Sequence, residues 1–177
     1  DLKSKATNPI FHIHGNTAPK SDMVVPFSML LNLAAVANAE DKNQLWGFIK
    51  RYAQDASPEN NPQLDQAASF AISYYNDFVK PQKVYRLPNT NEREALMDLR
   101  SMLSDFKGNR DAEELQSIVF ACGREKFDPL REWFTALYEV LLGASQGPRF
   151  GGFIALYGIE ETIQLIEKAL DGVFVKD

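Results

Sequence analysis

Asp128-Pro-Leu-Arg-Glu-Trp-Phe-Thr-Ala-Leu-Tyr-Glu-Val-Leu-Leu-Gly143 is the stretch on which the fold turns. Leu130, Trp133, Phe134, Leu137 and Leu141 recur at steps of three and four, which lines one face of a helix and not one face of a strand. Proline is tolerated in the first helical turn, where its missing N–H would be unsatisfied anyway, and glycine tolerates the left-handed conformation that closes a helix. Asp128-Pro129 therefore predicts the opening and Gly143 the stop.

The same period repeats on both sides. Downstream, Ile159, Ile163, Ile166 and Leu170 form an amphipathic face that Gly172 ends. Upstream, Asp111 with Glu114 has capping-box spacing before Leu115, Ile118, Val119 and Cys122, and Gly123 follows as a stop. Leu96, Leu99, Leu103 and Phe106 predict a helix started by Asn91 with Glu94 and stopped by Gly108. Leu64, Ala68, Ala71, Tyr75 and Phe78 predict another, running from Asn61-Pro62 to Lys80, because Pro81 disfavours helical geometry in the residue before it. Pro26 to Ala39 reads as a largely buried helix, and Asp41 caps a shorter one bearing Leu45, Trp46, Ile49 and Tyr52. Residues 8–25 read as extended or irregular. Strand alternation is almost absent, so the expected class is all-α. Arg86-Leu-Pro-Asn-Thr-Asn91 has no periodicity and predicts a boundary between two small helical subdomains, 1–88 and 89–177.

Composition narrows the function. With 177 residues, 45% hydrophobic and 24% charged, the chain can bury a core and is neither disordered nor fibrous. Its single cysteine, Cys122, makes no internal bridge and points to a reducing compartment, the cytoplasm. Met23 to Ala39, the longest apolar stretch, is broken by Pro26, Ser28, Asn32 and Asn38, so no membrane anchor is expected. A net charge of −5 removes the global basic field of an indiscriminate nucleic-acid binder, so DNA is not an expected partner and any RNA contact is local. Two stretches meet that condition. Lys80, Lys83 and Arg86 lie between Asp77 and Glu92 with no acid among them, beside Tyr85; Arg149 is the only charge between Glu139 and Glu160.

Catalytic constellations are weak. His12 and His14 point to one side of an extended segment, but no third histidine exists to complete a metal site. Glu92/Glu94, Glu113/Glu114 and Glu160/Glu161 fall in first helical turns, where negative charge complements the dipole. Cys122 sits in a helical stripe, and neither a nucleophile elbow nor a Walker-type glycine loop is present. The chain is expected to carry no catalytic site and no cofactor of its own. Gln146-Gly-Pro-Arg149-Phe150-Gly-Gly-Phe153 combines backbone amides, a guanidinium and a ring, the groups that read an unstacked base. Equally, Phe150 could fill the core and Arg149 be solvated.

These segments resemble the C-terminal region of the class I lysyl-tRNA synthetases. The matching stretches are Asn8-Pro-Ile-Phe-His-Ile-His-Gly15, Phe27-Ser-Met-Leu-Leu-Asn-Leu33, Leu45-Trp-Gly-Phe-Ile49, Phe78-Val-Lys-Pro81 with Lys83-Val-Tyr-Arg86, and Gln146-Gly-Pro-Arg-Phe-Gly151 with Ile154-Ala-Leu-Tyr-Gly158. The resemblance implies a stem-contact-like helical subdomain followed by a helix cage similar to the C-terminal anticodon-binding domain of glutamyl-tRNA synthetases. It further implies tRNA-Lys and an upstream catalytic domain as partners, with ATP and Mg used by that domain. It places Gly147, Arg149 and Phe150 near anticodon bases. The residues themselves place Lys80, Lys83 and Arg86 with Tyr85 on the phosphate backbone, with the helical surface around Trp46 and Arg51 as the fallback reader. A helical protein-interaction or scaffold domain is the alternative, and a small metal hydrolase built on His12 and His14 a third.

Overall fold

The computed structural model describes residues 22–39 and 41–175, and these hold eight α-helices and no strand. In chain order they are α1 (Phe27–Ala37), α2 (Lys42–Tyr52), α3 (Pro62–Tyr74), α4 (Thr90–Asp105), α5 (Ala112–Arg124), α6 (Arg131–Leu137), α7 (Phe150–Tyr157) and α8 (Ile159–Leu170).

Where local chemistry was unambiguous the helices begin and end as expected. The Asp41 side chain accepts from the amides of Asn43 and Gln44 to start α2, and Asp111 does the same for α5 through Glu113 and Glu114. Gly143, at φ 64°, closes the segment that begins with α6, and Gly172, at φ 74°, follows α8. Gly143 is needed twice over, because a Cβ there would lie 2.9 Å from the Tyr85 ring.

Other boundaries differ. Gly123 does not stop α5 but lies inside it, because the Trp133 ring packs where a Cβ would be, and the helix runs on to Arg124. The box that opens α4 is Asn89 with Glu92, not Asn91 with Glu94: the Asn89 side chain takes the Glu92 amide while the Glu92 carboxylate takes the Asn89 amide. Glu92 is also the partner of Arg86, and that pair sets the register. Helix α3 ends at Tyr74 and continues as a π turn, Tyr75–Val79, then a 3-10 turn, Lys80–Gln82. The wider turn keeps Tyr75 buried and leaves Phe78 57% exposed, so Phe78 leaves the stripe that its spacing predicted. Asn61 gives no side-chain cap to α3; its amide group instead bridges the Ser57 N–H and the Asp22 carbonyl. Asp128-Pro129, a cis peptide, precedes α6 and does not open it.

Buried side chains fall into two clusters. One gathers Val25, Leu30, Leu33, Leu45, Trp46, Ile49, Leu64, Ala68 and Tyr75 from α1, α2 and α3 and their flanks. The other gathers Leu96, Leu99, Leu103, Leu115, Val119, Trp133, Leu137, Leu141, Phe150, Phe153 and Ile166 from the later helices. Leu156, on α7, belongs to the first cluster, so α7 touches both.

Candidate nucleic-acid interface

The fold brings part of segment 78–86 against the loop after Leu142, whose Gln146 opens the second basic-aromatic stretch. A cleft of about 480 Å3 lies between α1, the turns after α3 and this loop, lined among others by Asn32, Tyr74, Phe78, Gln82, Lys83, Ser145 and Gln146. No acidic side chain lines it. Tyr74 and Phe78 sit ring to ring at 5.1 Å, both substantially exposed. Lys80, at the start of the 3-10 turn, is exposed and has no ion pair among the described residues.

The expected cations do not act as a set. Arg86 faces two acids: it holds Glu92 through both terminal nitrogens at 2.7 and 2.8 Å, and its Nε donates to Glu139 at 2.6 Å. The expectation that no acid neutralises it is corrected: Glu92, at the edge of the acid-free stretch, and Glu139, 53 residues on, both reach it in the fold. Burial alone would raise the Glu92 pKa, but hydrogen bonds from Arg86 and the Asn89 amide outweigh it and hold the carboxyl below its usual range. The Glu92 and Glu139 bonds likewise push the Arg86 pKa upward.

Lys83 is not a flexible surface cation either. Its ammonium donates to the Ala35 carbonyl at 2.6 Å and to the Tyr85 hydroxyl at 2.7 Å, and burial pulls its pKa down to about 8. Tyr85 stacks on Phe174 at 5.0 Å, and burial pushes its phenol up to about 12. It braces the linker against the C-terminal segment and is only partly exposed.

The turn 146–150 is also corrected. Arg149 is not free: it holds Glu113 of α5 bidentately, at 2.5 and 2.6 Å, on an exposed surface. Phe150 is 0% exposed and packs between Tyr138 and Phe153, so its ring fills the core and offers no stacking face. Gly147 is exposed, yet a Cβ there would lie 2.6 Å from the Tyr138 ring, whose hydroxyl donates to the Pro148 carbonyl. Packing against the Tyr138 ring is enough to require a glycine there. The fallback surface fares similarly. Trp46 is buried with its indole N–H on Asp65, and Arg51 is paired with Glu161 while lying over the Phe48 ring. His12 and His14 lie outside the described residues. Among those described, no group of three His, Cys, Asp or Glu side chains is placed to hold a metal.

Asn32 and Tyr74 were missed. A signal for Tyr74 existed, since Phe70, Tyr74 and Phe78 recur at steps of four, but the buried stripe beside it claimed Phe78. Nothing in the sequence marks Asn32, which reaches the cleft only because α1 packs there.

A lysine–tRNA ligase of Roseobacter denitrificans is 66% identical to the chain over all 177 residues, matching the C-terminal 34% of that relative. The chain belongs with the C-terminal region of the lysine–tRNA ligases. Lysine–tRNA ligases of Rickettsia conorii and Rickettsia bellii are 43% and 45% identical over 172 residues, 96% of the chain and 33% of each relative. The chain thus spans about a third of the length of the curated relatives it matches. No family model and no solved structure matches it. Among the described residues of this ligase region, no helix is long and apolar enough to cross a membrane.

Proposed function

We propose that this chain is the tRNA-binding part of a lysine–tRNA ligase, holding tRNA-Lys by its anticodon end for an upstream catalytic part that uses ATP and Mg2+. The observation that carries the reading is the acid-free cleft, where Phe78 and Lys83 of one basic-aromatic stretch meet Gln146, the first residue of the other, in a chain of net charge −5. An anionic surface elsewhere disfavours indiscriminate RNA binding, while local cations and rings supply contacts to one RNA.

A protein contact also has support. Leu87 is exposed beside Gly172, and Val173 is exposed in the same C-terminal segment, an apolar spot suited to the upstream part of the same polypeptide.

Filter binding of a tRNA-Lys transcript at increasing salt tests the reading. Binding should weaken linearly in log–log form, and Lys80→Ala should reduce the slope by about one. The chain alone should show no lysine-dependent pyrophosphate exchange. Absence of binding at low salt overturns the proposal.

A further inference from the structure

We infer that the cleft takes one RNA base, unstacked from its strand and laid on the Phe78 and Tyr74 rings. This rests on the tRNA-binding reading and moves its base contact from Arg149 to a different site. Four observations converge. At about 480 Å3 the cleft is within the size range of small-ligand sites. Its aromatic wall is exposed, Tyr74 by 46% and Phe78 by 57%, with the two rings side by side. Stacking a base recovers that surface and is indifferent to base identity.

The polar lining matches a base edge better than an apolar peptide. Gln82 and Gln146 each offer both a donor and an acceptor, and neither side chain has a hydrogen-bond partner among the described residues. Lys83 spends two of its three N–H donors on Ala35 and Tyr85, which leaves one for a base carbonyl or a phosphate oxygen. Lys83 lines the cleft and no carboxylate does, which suits the anionic backbone that carries the base. A partner helix would need a continuous apolar groove, and Asn32, Gln82, Ser145 and Gln146 interrupt this one.

The test uses the whole chain and a tRNA-Lys transcript. Phe78→Ala should weaken binding roughly tenfold, the loss of one stacking contact, without changing the salt slope. Gln146→Ala, at an exposed position, should weaken it several-fold, while Phe120→Ala, an exposed ring on α5, should leave it unchanged. An abasic oligomer should compete less well than the same RNA with its bases. If the parent binds tRNA while Phe78→Ala and Gln146→Ala bind as it does, or the abasic strand competes equally, the base site is wrong and the tRNA-binding reading stands. If the parent binds no tRNA, both fall. If Phe78→Ala instead abolishes capture of the purified upstream catalytic part and leaves tRNA affinity intact, the cleft is a protein-docking site and the inference is overturned.

Discussion

Arg86 and Arg149 each grip a carboxylate through two nitrogens, and burial separates what the two pairs are worth. Glu92 is nearly inaccessible beneath Arg86, whereas Glu113 and Arg149 both stand in solvent. Removing Arg86 strands a buried anion; removing Arg149 releases one into water. Arg86→Ala should therefore cost about 2 kcal/mol, less than a fully buried pair because Arg86 is itself partly exposed, while Arg149→Ala should stay within about 0.5 kcal/mol. Urea midpoints at unchanged m check this, and equal effects would show that burial is not the deciding quantity. Lys83 makes a pH-dependent counterpart. Folded, it titrates near 8; unfolded, near its ordinary 10.5, so between these values the unfolded chain binds more protons and stability rises with pH. The penalty for burying the charge is present in full below pH 8. Relative to Lys83→Met, the parent should gain up to about 3 kcal/mol as that window is crossed. Measurements kept below about pH 10 avoid the unfolded-state titration of tyrosine. A flat difference between the two proteins would exclude a depressed lysine.

Helix α7 shows how element packing reassigns residues that looked like ligand contacts. In Phe150-Gly-Gly-Phe153 the glycines suggested an approach of backbone to RNA. Gly151 instead lets α7 meet α5: a Cβ would sit on the Ala112 carbonyl and 2.5 Å from the Gln116 amide nitrogen, and the Gly151 N–H donates to Gln116 Oε1 at 2.8 Å. Neither backbone can yield without parting the helices. Gly151→Ala should cost at least about 1–3 kcal/mol. Gly47 on α2, with nothing within 4 Å of its would-be Cβ, provides the contrast. Gly47→Ala should stabilise by about 0.5–1 kcal/mol through helix propensity alone. Thermal melts of the two variants should move in opposite directions. A destabilised Gly47→Ala would mean that α2 meets something beyond the described residues.

At the scale of the whole molecule, the two clusters are tied by Leu156 and Tyr157, which stand on α7 yet pack against the first cluster. Each cluster also holds one of the chain's two tryptophans, Trp46 in the first and Trp133 in the second. This arrangement predicts one cooperative transition. In Trp46→Phe and in Trp133→Phe, the remaining tryptophan's fluorescence should follow the same denaturation curve as the helical circular dichroism signal. Two separated fluorescence midpoints would show that the halves unfold independently. Apolar periodicity and capping chemistry act over three or four residues, so the all-α class, the caps at Asp41 and Asp111 and the closing glycines Gly143 and Gly172 were legible in the sequence. Leu64, Leu96 and Trp133 were likewise legible as core. Partners more distant along the chain were not. That Arg86 finds Glu139 and Arg149 finds Glu113 depends on helices packing across 36 or more residues, that Phe150 turns inward on its place between Tyr138 and Phe153, and that Phe78 turns outward on the π turn that rotates it off its stripe. The cleft belongs to this second kind. Its lining comes from α1, the turns after α3 and the loop after Leu142, and only tertiary packing makes those segments neighbours.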